Sequence, residues 1–435
     1  MQRSRHNIVE CDVRYVQAYP IDLDLFDTIV IHYSVMIFSD RYLSGGFTEA
    51  IRACRAAKIV FIQDEYRQVD DVARSIAELG VAVVFTVVNK EAVRRIYHHS
   101  SLKNVRFETC LTGYVPEELV KRTVPPFEER KLDVIYRARK LPGWLGEFGQ
   151  QKWIIGARFK EDAAEYELNC DISSDESDRI YGDDWVAFVE NAKAVLGTES
   201  GASFIDFTGD VQAKVEAYEA KQPTAEFRDV QERFLEGRDG DITISVISPR
   251  CFEAAALRTL MILYPGEYSG VLKPYRHYVP LEPDHSNMSE VVEILCDPVR
   301  AKSIIDAAYR EVACSDKWTF GTFVQRFDDV VNEHAQNLAA ALTAAEKATS
   351  KTTAAPLSDQ QFDKLIAEWS KGKAHWSATR RRRLKRVVAL GQLASAIERV
   401  MRRLLPDTIS DWSLGKWAAF RKKASAFVFW VLQRR

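Results

Sequence analysis

The chain has 435 residues, 46% of them hydrophobic and 28% charged, enough for two or three domains that each bury a core. No run approaches the roughly 18 apolar residues that a bilayer span needs, and Met1–Glu10 lacks the apolar stretch of a signal peptide. Seven scattered cysteines without a CxxC pair exclude a disulfide framework and a zinc site, so a cytoplasmic protein is expected. The formal net charge of −2 hides a division: residues 361–435 hold 18 Lys plus Arg against 5 Asp plus Glu, behind an acidic body.

Thr28–Tyr33, Lys58–Gln63, Val81–Val88 and Val105–Thr112 are β-branched or aromatic runs of strand length. Helical patterns lie between them near Gly46–Ala57, Val69–Leu79 and Lys90–His98. This alternation predicts an α/β fold with a doubly wound parallel sheet over residues 1–124. Lys121–Lys131, with Pro125-Pro126 among charges, reads as a linker.

A second Rossmann-like unit is expected over residues 131–343. It opens with strand Leu132–Tyr136 and the glycine-bearing segment Leu141–Gly149. Helix Trp185–Ala194, strand Ala194–Leu196, strand Ile242–Val246, helix Cys251–Leu257 and strand Thr259–Tyr264 follow. Helices Ile304–Cys314 and Phe320 to about Ala345 close it. Residues 344–357 are small and Thr-rich and read as a linker. Residues 358–435 read as a basic, amphipathic helical tail, with Leu384, Val387, Leu390 and Ile397 at helical spacing behind Arg380–Arg383. Such a tail suits an anionic membrane surface, or else it packs on the body or on a partner chain; nucleic acid fits it less well.

The first strand is followed by His32-Tyr33-Ser34, not GxGxxG, and no P-loop, HExxH or GxSxG occurs. Two acidic triplets, Asp22–Asp24 and Asp239–Asp241, are the only DxD patterns and neither reads as a metal site; no metal is expected. Four clusters fall at strand ends, where open α/β sheets bind ligands. His32 follows the first strand. Asp64 and Glu65 follow the second, where they either cap the next helix or meet sugar hydroxyls and an acceptor. Arg137, Arg139 and Lys140 leave the strand at Leu132–Tyr136; guanidinium forks pair with phosphate oxygens, and a strand end running into glycines and a helix favours an anion. Glu199, Ser200 and Gly201 form a loop of small residues, and Arg250 and Glu253 stand in a helix start that Ser248 and Pro249 mark.

FEAAALRTLMILYPGEY resembles the donor-binding helix and following strand of GT-B glycosyltransferases. More narrowly, DVIYRARKLPGWLG, LGTESGASFIDF, SPRCFEAAA and HYVPLEPDHSN resemble bacterial spore-coat-type glycosyltransferase-like proteins, with FIQDEY and LTGYVPEEL where such enzymes place cleft-facing loops. The likeness covers roughly Asp27 to Val331 and leaves out the tail. It implies two Rossmann-like domains facing a cleft, an acceptor-side first domain and a donor-binding second one. It also implies that Glu253 grips the ribose, that Arg137, Arg139 and Lys140 lie by the diphosphate, and that Asp64 lies by the transferred sugar. Ser245 stands where retaining families often carry a glutamate, and Arg258 where their helix ends in glycine. The expectation is a metal-independent, retaining glycosyltransferase that moves a sugar from a nucleoside diphosphate sugar to a cell-surface glycan, lipid-linked or protein acceptor. It would need no cofactor and would sit in the cytoplasm or peripherally on the inner membrane face. Asp64, Glu65 and His32 are the candidate catalytic groups. A sugar-nucleotide epimerase or hydrolase of the same fold and a non-catalytic scaffold are the alternatives.

Overall fold

The β-branched runs of the first half form four parallel strands in the order β1-β2-β3-β4. A computed structural model describes residues 3–11 and 22–349; both sheets below lie in one unit of the chain, Met1–Thr352. In chain order the elements of the first domain are β1 (Thr28–Ile31), α1 (Gly45–Ala53), β2 (Ala57–Ile62), α2 (Val69–Leu79), β3 (Val83–Thr86), α3 (Lys90–Ile96), β4 (Arg106–Thr109) and α4 (Glu117–Val120). Side chains alternate across the sheet. Ile31, Val60 and Val84 face α1–α3 through Phe47, Ile51, Val72, Ile76 and Val93. The other face presents Ile59, Val83 and Phe85, which pack on Phe327, Val330 and Val331 of α12 (Phe320–Thr349), a helix from the end of the described chain.

The second domain contains β5 (Leu132–Arg137), α5 (Gly146–Asp162), β6 (Cys170–Ser173), α6 (Gly182–Glu190), β7 (Ala192–Gly197), β8 (Ser200–Ala202), α7 (Asp210–Lys221), α8 (Phe227–Val230), β9 (Ile244–Val246), α9 (Pro249–Ala256), β10 (Leu260–Leu263), β11 (Val279–Pro280), α10 (Met288–Cys296) and α11 (Pro298–Ala308). Its five-stranded sheet runs β11-β10-β7-β5-β6, all parallel. Tyr136, Leu196 and Ile262 face α5, α10 and α11; Ile135, Val195 and Met261 face α6 and α9. The fold is therefore α/β, with two Rossmann-like domains covered by helices on both faces.

Several elements differ from the sequence reading. Ile244–Val246 is not a strand of the main sheet but pairs antiparallel with β8, which the sequence presented as a loop. Helix α6 ends at Glu190, and Ala192 already begins β7. Helix α12 continues to Thr349, into the segment read as a linker; residues 350–357 and the tail 358–435 lie outside the described residues. The excursion between β7 and α9 leans on the first domain: Ile205, Ile244 and Val246 complete its core, the Asp206 amide donates to Tyr66 O at 2.9 Å, and Thr112 Oγ1 donates to Ile247 O. Among the described residues, no helix is long and apolar enough to cross a membrane.

Candidate active site

The second sheet reverses direction between β5 and β7. From β5 the chain passes to β6 on one side, then returns to β7 on the other. A crevice opens at such a point, beyond the carboxyl ends of the strands. Arg139, just past β5, and Arg250 on α9 both bear electrostatically on Lys152 of α5. The Lys152 amine is lowered to about 8, first by burial and then by Arg250 and Arg139. Its Nζ donates to Ser200 Oγ at 3.2 Å. Among the described residues no carboxylate forms an ion pair with any of the three cations. Like charges held together in a partly dry site repel, so the arrangement suits a polyanionic ligand.

Local structure fixes these groups. Ser248 takes the extended N-cap conformation of α9, though its hydroxyl makes no capping bond, and Pro249 supplies the preset φ of the first helical position. At the next residue, the Arg250 guanidinium lies 4.8 Å over the Trp185 ring and donates to the Arg137 carbonyl. The Trp185 indole N–H donates to Glu253 Oε2 at 2.8 Å. At the far end of α9, Arg258 adopts φ +50°, the left-handed conformation in which a helix-ending glycine normally stands, and its guanidinium lies 4.0 Å over Tyr309. The Gly-to-Arg departure is thus accommodated without losing the turn.

Three expectations are corrected. Arg137 is not a free phosphate clamp: the two-residue period of β5 turns it toward α6. There it pairs with Asp171 at 2.7 Å, donates to Asp178 O and Asp171 O, and lies 4.6 Å over Phe188. Lys140 is not among the corrected expectations: it is exposed, as Arg139 is, and lies 5.0 Å over Trp153. Glu199 faces protein rather than ligand; 8% exposed, it accepts the Tyr268 amide at 2.7 Å and holds the turn after β10, and its carboxyl is raised above the usual range by burial. The amino terminus of α5 is not open to an anion either. Asp239 accepts the Glu147 amide and Gln231 Nε2, both at 2.9 Å, and the Ser203 hydroxyl at 2.5 Å. Its carboxylate therefore already caps that helix. In the other acidic triplet, Asp22 accepts the Asp24 amide at 3.0 Å and Asp24 the Arg55 amide at 2.7 Å.

Ser200 and Gly201 lie where β8 meets β9, and Gly201 pairs with Ser245. Gly201 has φ +144°, and a Cβ there would fall 1.8 Å from Ile244 O, so only glycine fits this crossing.

In the first domain, His32 and Asp64 are exposed at the ends of adjacent strands. The Ser34 amide donates to His32 Nδ1 at 3.3 Å, which leaves the ring proton on Nε2, and burial lowers the imidazole below its ordinary value. Asp64 accepts the Tyr66 hydroxyl at 2.8 Å. Glu65 departs from the expectation. It is 1% exposed and turned into the core, where Thr86 Oγ1 donates to Oε1 while Oε2 has no protein partner. Burial pushes this carboxyl up to about 8, so it is neutral at pH 7 and cannot face a substrate from this position. The sequence reading missed Lys152 and Trp185.

No family model matches the chain, and no curated protein matches it. Among solved structures it is similar to an alpha-glucosyltransferase in complex with UDP-glucose and DNA containing an abasic site, at 10% identity and TM-score 0.43, over 70% of this chain and 80% of that one. It is also similar to Anabaena Alr3699/HepE in complex with UDP, at 10% identity and TM-score 0.42, over 71% and 79%. Against TarM the values are 10% and 0.40 over 70% of this chain, which spans only about half of TarM, 54%.

Proposed function

We propose that the protein is a glycosyltransferase of GT-B type that uses a nucleoside diphosphate sugar. The convergence of Arg139, Lys152 and Arg250 without a pairing carboxylate carries this reading. These cations take the diphosphate, Glu253 takes the ribose hydroxyls, and Ser200 and Gly201 line the approach. Acceptor hydroxyls meet Asp64 and the Nε2–H of His32 across the gap between the domains. A glycan, lipid-linked or protein acceptor offers such hydroxyls, and the narrower likeness to spore-coat-type transferases belongs to the same proposal.

In the reaction, the bond from the anomeric carbon to the phosphate oxygen breaks, and its electron pair stays on the diphosphate. The acceptor oxygen bonds to that carbon, and its proton ends on the departing phosphate. Configuration is retained in this proposal, with no side-chain nucleophile. Charge that grows on the leaving group falls to the three cations, whose positions are set before the reaction begins. Asp64 and His32 orient the acceptor.

The test is release of nucleoside diphosphate from a panel of sugar donors, with and without saccharide acceptors. Release that needs acceptor and collapses in Lys152→Ala supports transfer. Acceptor-independent release would favour a hydrolase, and absence of nucleotide binding a scaffold.

A further inference from the structure

Tyr66 follows the second strand of the first domain, yet its ring packs into a small core of the second. That core is made by Trp144, Leu145, Ala202 and Val215, and the Tyr66 and Trp144 centroids stand 5.9 Å apart. The backbone is joined to the same domain. The Tyr66 carbonyl accepts the Asp206 amide at 2.9 Å, Arg67 forms a parallel bridge with Asp206, and the Asp70 amide donates to Phe207 O at 3.0 Å. Asp206 is itself fixed: 2% exposed, its carboxylate accepts the amides of Gly209 and Gln212 at 2.9 and 2.7 Å, where α7 begins.

The Tyr66 hydroxyl emerges from this packing and donates to Asp64 Oδ1 at 2.8 Å. Burial, and then the charge of Asp64, push the phenol far above its ordinary value, so it stays a donor at neutral pH. Between the two, Glu65 is turned into the first-domain core and held there by Thr86. The chain that carries Asp64 is thus anchored from both domains. Asp64 itself is exposed, and among the described residues it accepts no other donor. A free carboxylate loses rotamer freedom when it meets a ligand; one that is already held through a single oxygen loses less and keeps the other oxygen for the ligand.

We infer that Tyr66 is a positioning residue: held by the second domain, its hydroxyl aims the Asp64 carboxylate so that Oδ2 meets the acceptor. The inference rests on the acceptor role proposed for Asp64. It adds that this group of the first domain is oriented by the domain that holds the donor.

Tyr66→Phe tests this directly, because it keeps the ring against Trp144 and the backbone bond to Asp206 and removes only the hydroxyl. Nucleoside diphosphate release by the full chain is followed with UDP-, ADP- and GDP-glucose as acceptor saccharides are varied. The acceptor kcat/KM should fall about tenfold, the scale of a charge-assisted hydrogen bond. Donor KM and calorimetric affinity for the nucleoside diphosphate should stay at wild type. In an Asp64→Ala background the same change should cost nothing further, since the group it aims is gone. Wild-type kinetics in Tyr66→Phe overturn the inference. So does an equal loss of donor affinity, or a loss undiminished beside Asp64→Ala, either of which marks a merely structural role. Wild-type acceptor kinetics in Asp64→Ala retire the Asp64 reading itself, and a wild-type chain that turns over no donor retires the transferase reading; each removes what Tyr66 would aim.

Discussion

The indole N–H of Trp185 on α6 donates a 2.8 Å hydrogen bond to Oε2 of Glu253 on α9. The bond fixes the carboxylate before any ligand arrives, which lowers the cost of ordering it on binding. Trp185→Phe keeps a ring under Arg250 but removes the donor, and is expected to weaken nucleoside diphosphate binding by about 1 kcal/mol. Glu253→Ala removes the proposed ribose contact itself and should cost about 1.5–3 kcal/mol. Calorimetric affinities equal to wild type in both variants would remove this domain from donor binding.

The depressed Lys152 amine predicts a pH dependence for the anion site. Its charge fades as pH climbs through about 8. A bound phosphate favours the charged amine, so affinity for pyrophosphate should fall steadily above that pH until the amine of the complex also titrates. Lys152→Arg should flatten the curve. A wild-type affinity constant across the same range contradicts this role.

Glu65 ties stability to pH. Its carboxyl titrates at about 8 in the folded chain, against a reference of 4.5. Between those values the native state keeps a proton that the unfolded state has released, so its contribution to stability is full below the lower value and is lost as pH rises through the upper one. Glu65→Gln preserves the acceptor for Thr86 and cannot ionise. Its Tm should exceed wild type, by more at pH 8 than at pH 5; equal increments would show that Glu65 does not titrate in this window.

Gly201 is expected to tolerate no side chain. Gly201→Ala would force a Cβ onto the Ile244 carbonyl at a positive φ, and a loss of about 2 kcal/mol or more should follow. Gly45→Ala, where nothing lies within 4 Å of the new atom, serves as the matched control and should leave Tm unchanged or slightly raised. Comparable melting points for the two variants would mean that β8 and β9 do not cross as described.

Donor turnover is expected to persist in EDTA. Asp22, Asp24 and Asp239 of the acidic triplets already accept backbone or side-chain donors, which leaves the leaving charge to the cations. Activity lost on chelation and regained with magnesium or manganese would reverse this assignment.

The strands with dense β-branched runs and the proline-started helix α9 could be read directly from the sequence, because local pattern and burial agree there. Helix α5 could not. Gly146, Gly149 and Gly156 lower its helical propensity, and two of these are small for packing reasons: a Cβ at Gly149 would meet Leu145, and one at Gly156 would meet Tyr136, each at 2.8 Å. The bounds of the helix that carries Lys152 therefore went unread, although Phe148, Ile155 and Phe159 recur near helical spacing. Helix α7 buries only Val215 and gave no stripe to detect. Arg137 was misread for a different reason: strand alternation decides which face a residue takes, and only the sheet shows that this face belongs to Phe188 and Asp171.

The first four strands leave the ribosome early, yet what closes their two faces is synthesised much later. Ile244 and Val246 complete one side and Phe327, Val330 and Val331 the other. A nascent chain that ends anywhere before the start of α12 therefore carries a sheet with Ile59, Val83 and Phe85 open to water. Vectorial folding, in which the earlier-made domain finishes first, is denied to this chain; its amino-terminal sheet must wait, exposed and prone to stick, until α12 has been made. Chaperone engagement should therefore concentrate on intermediates stalled between α9 and α12.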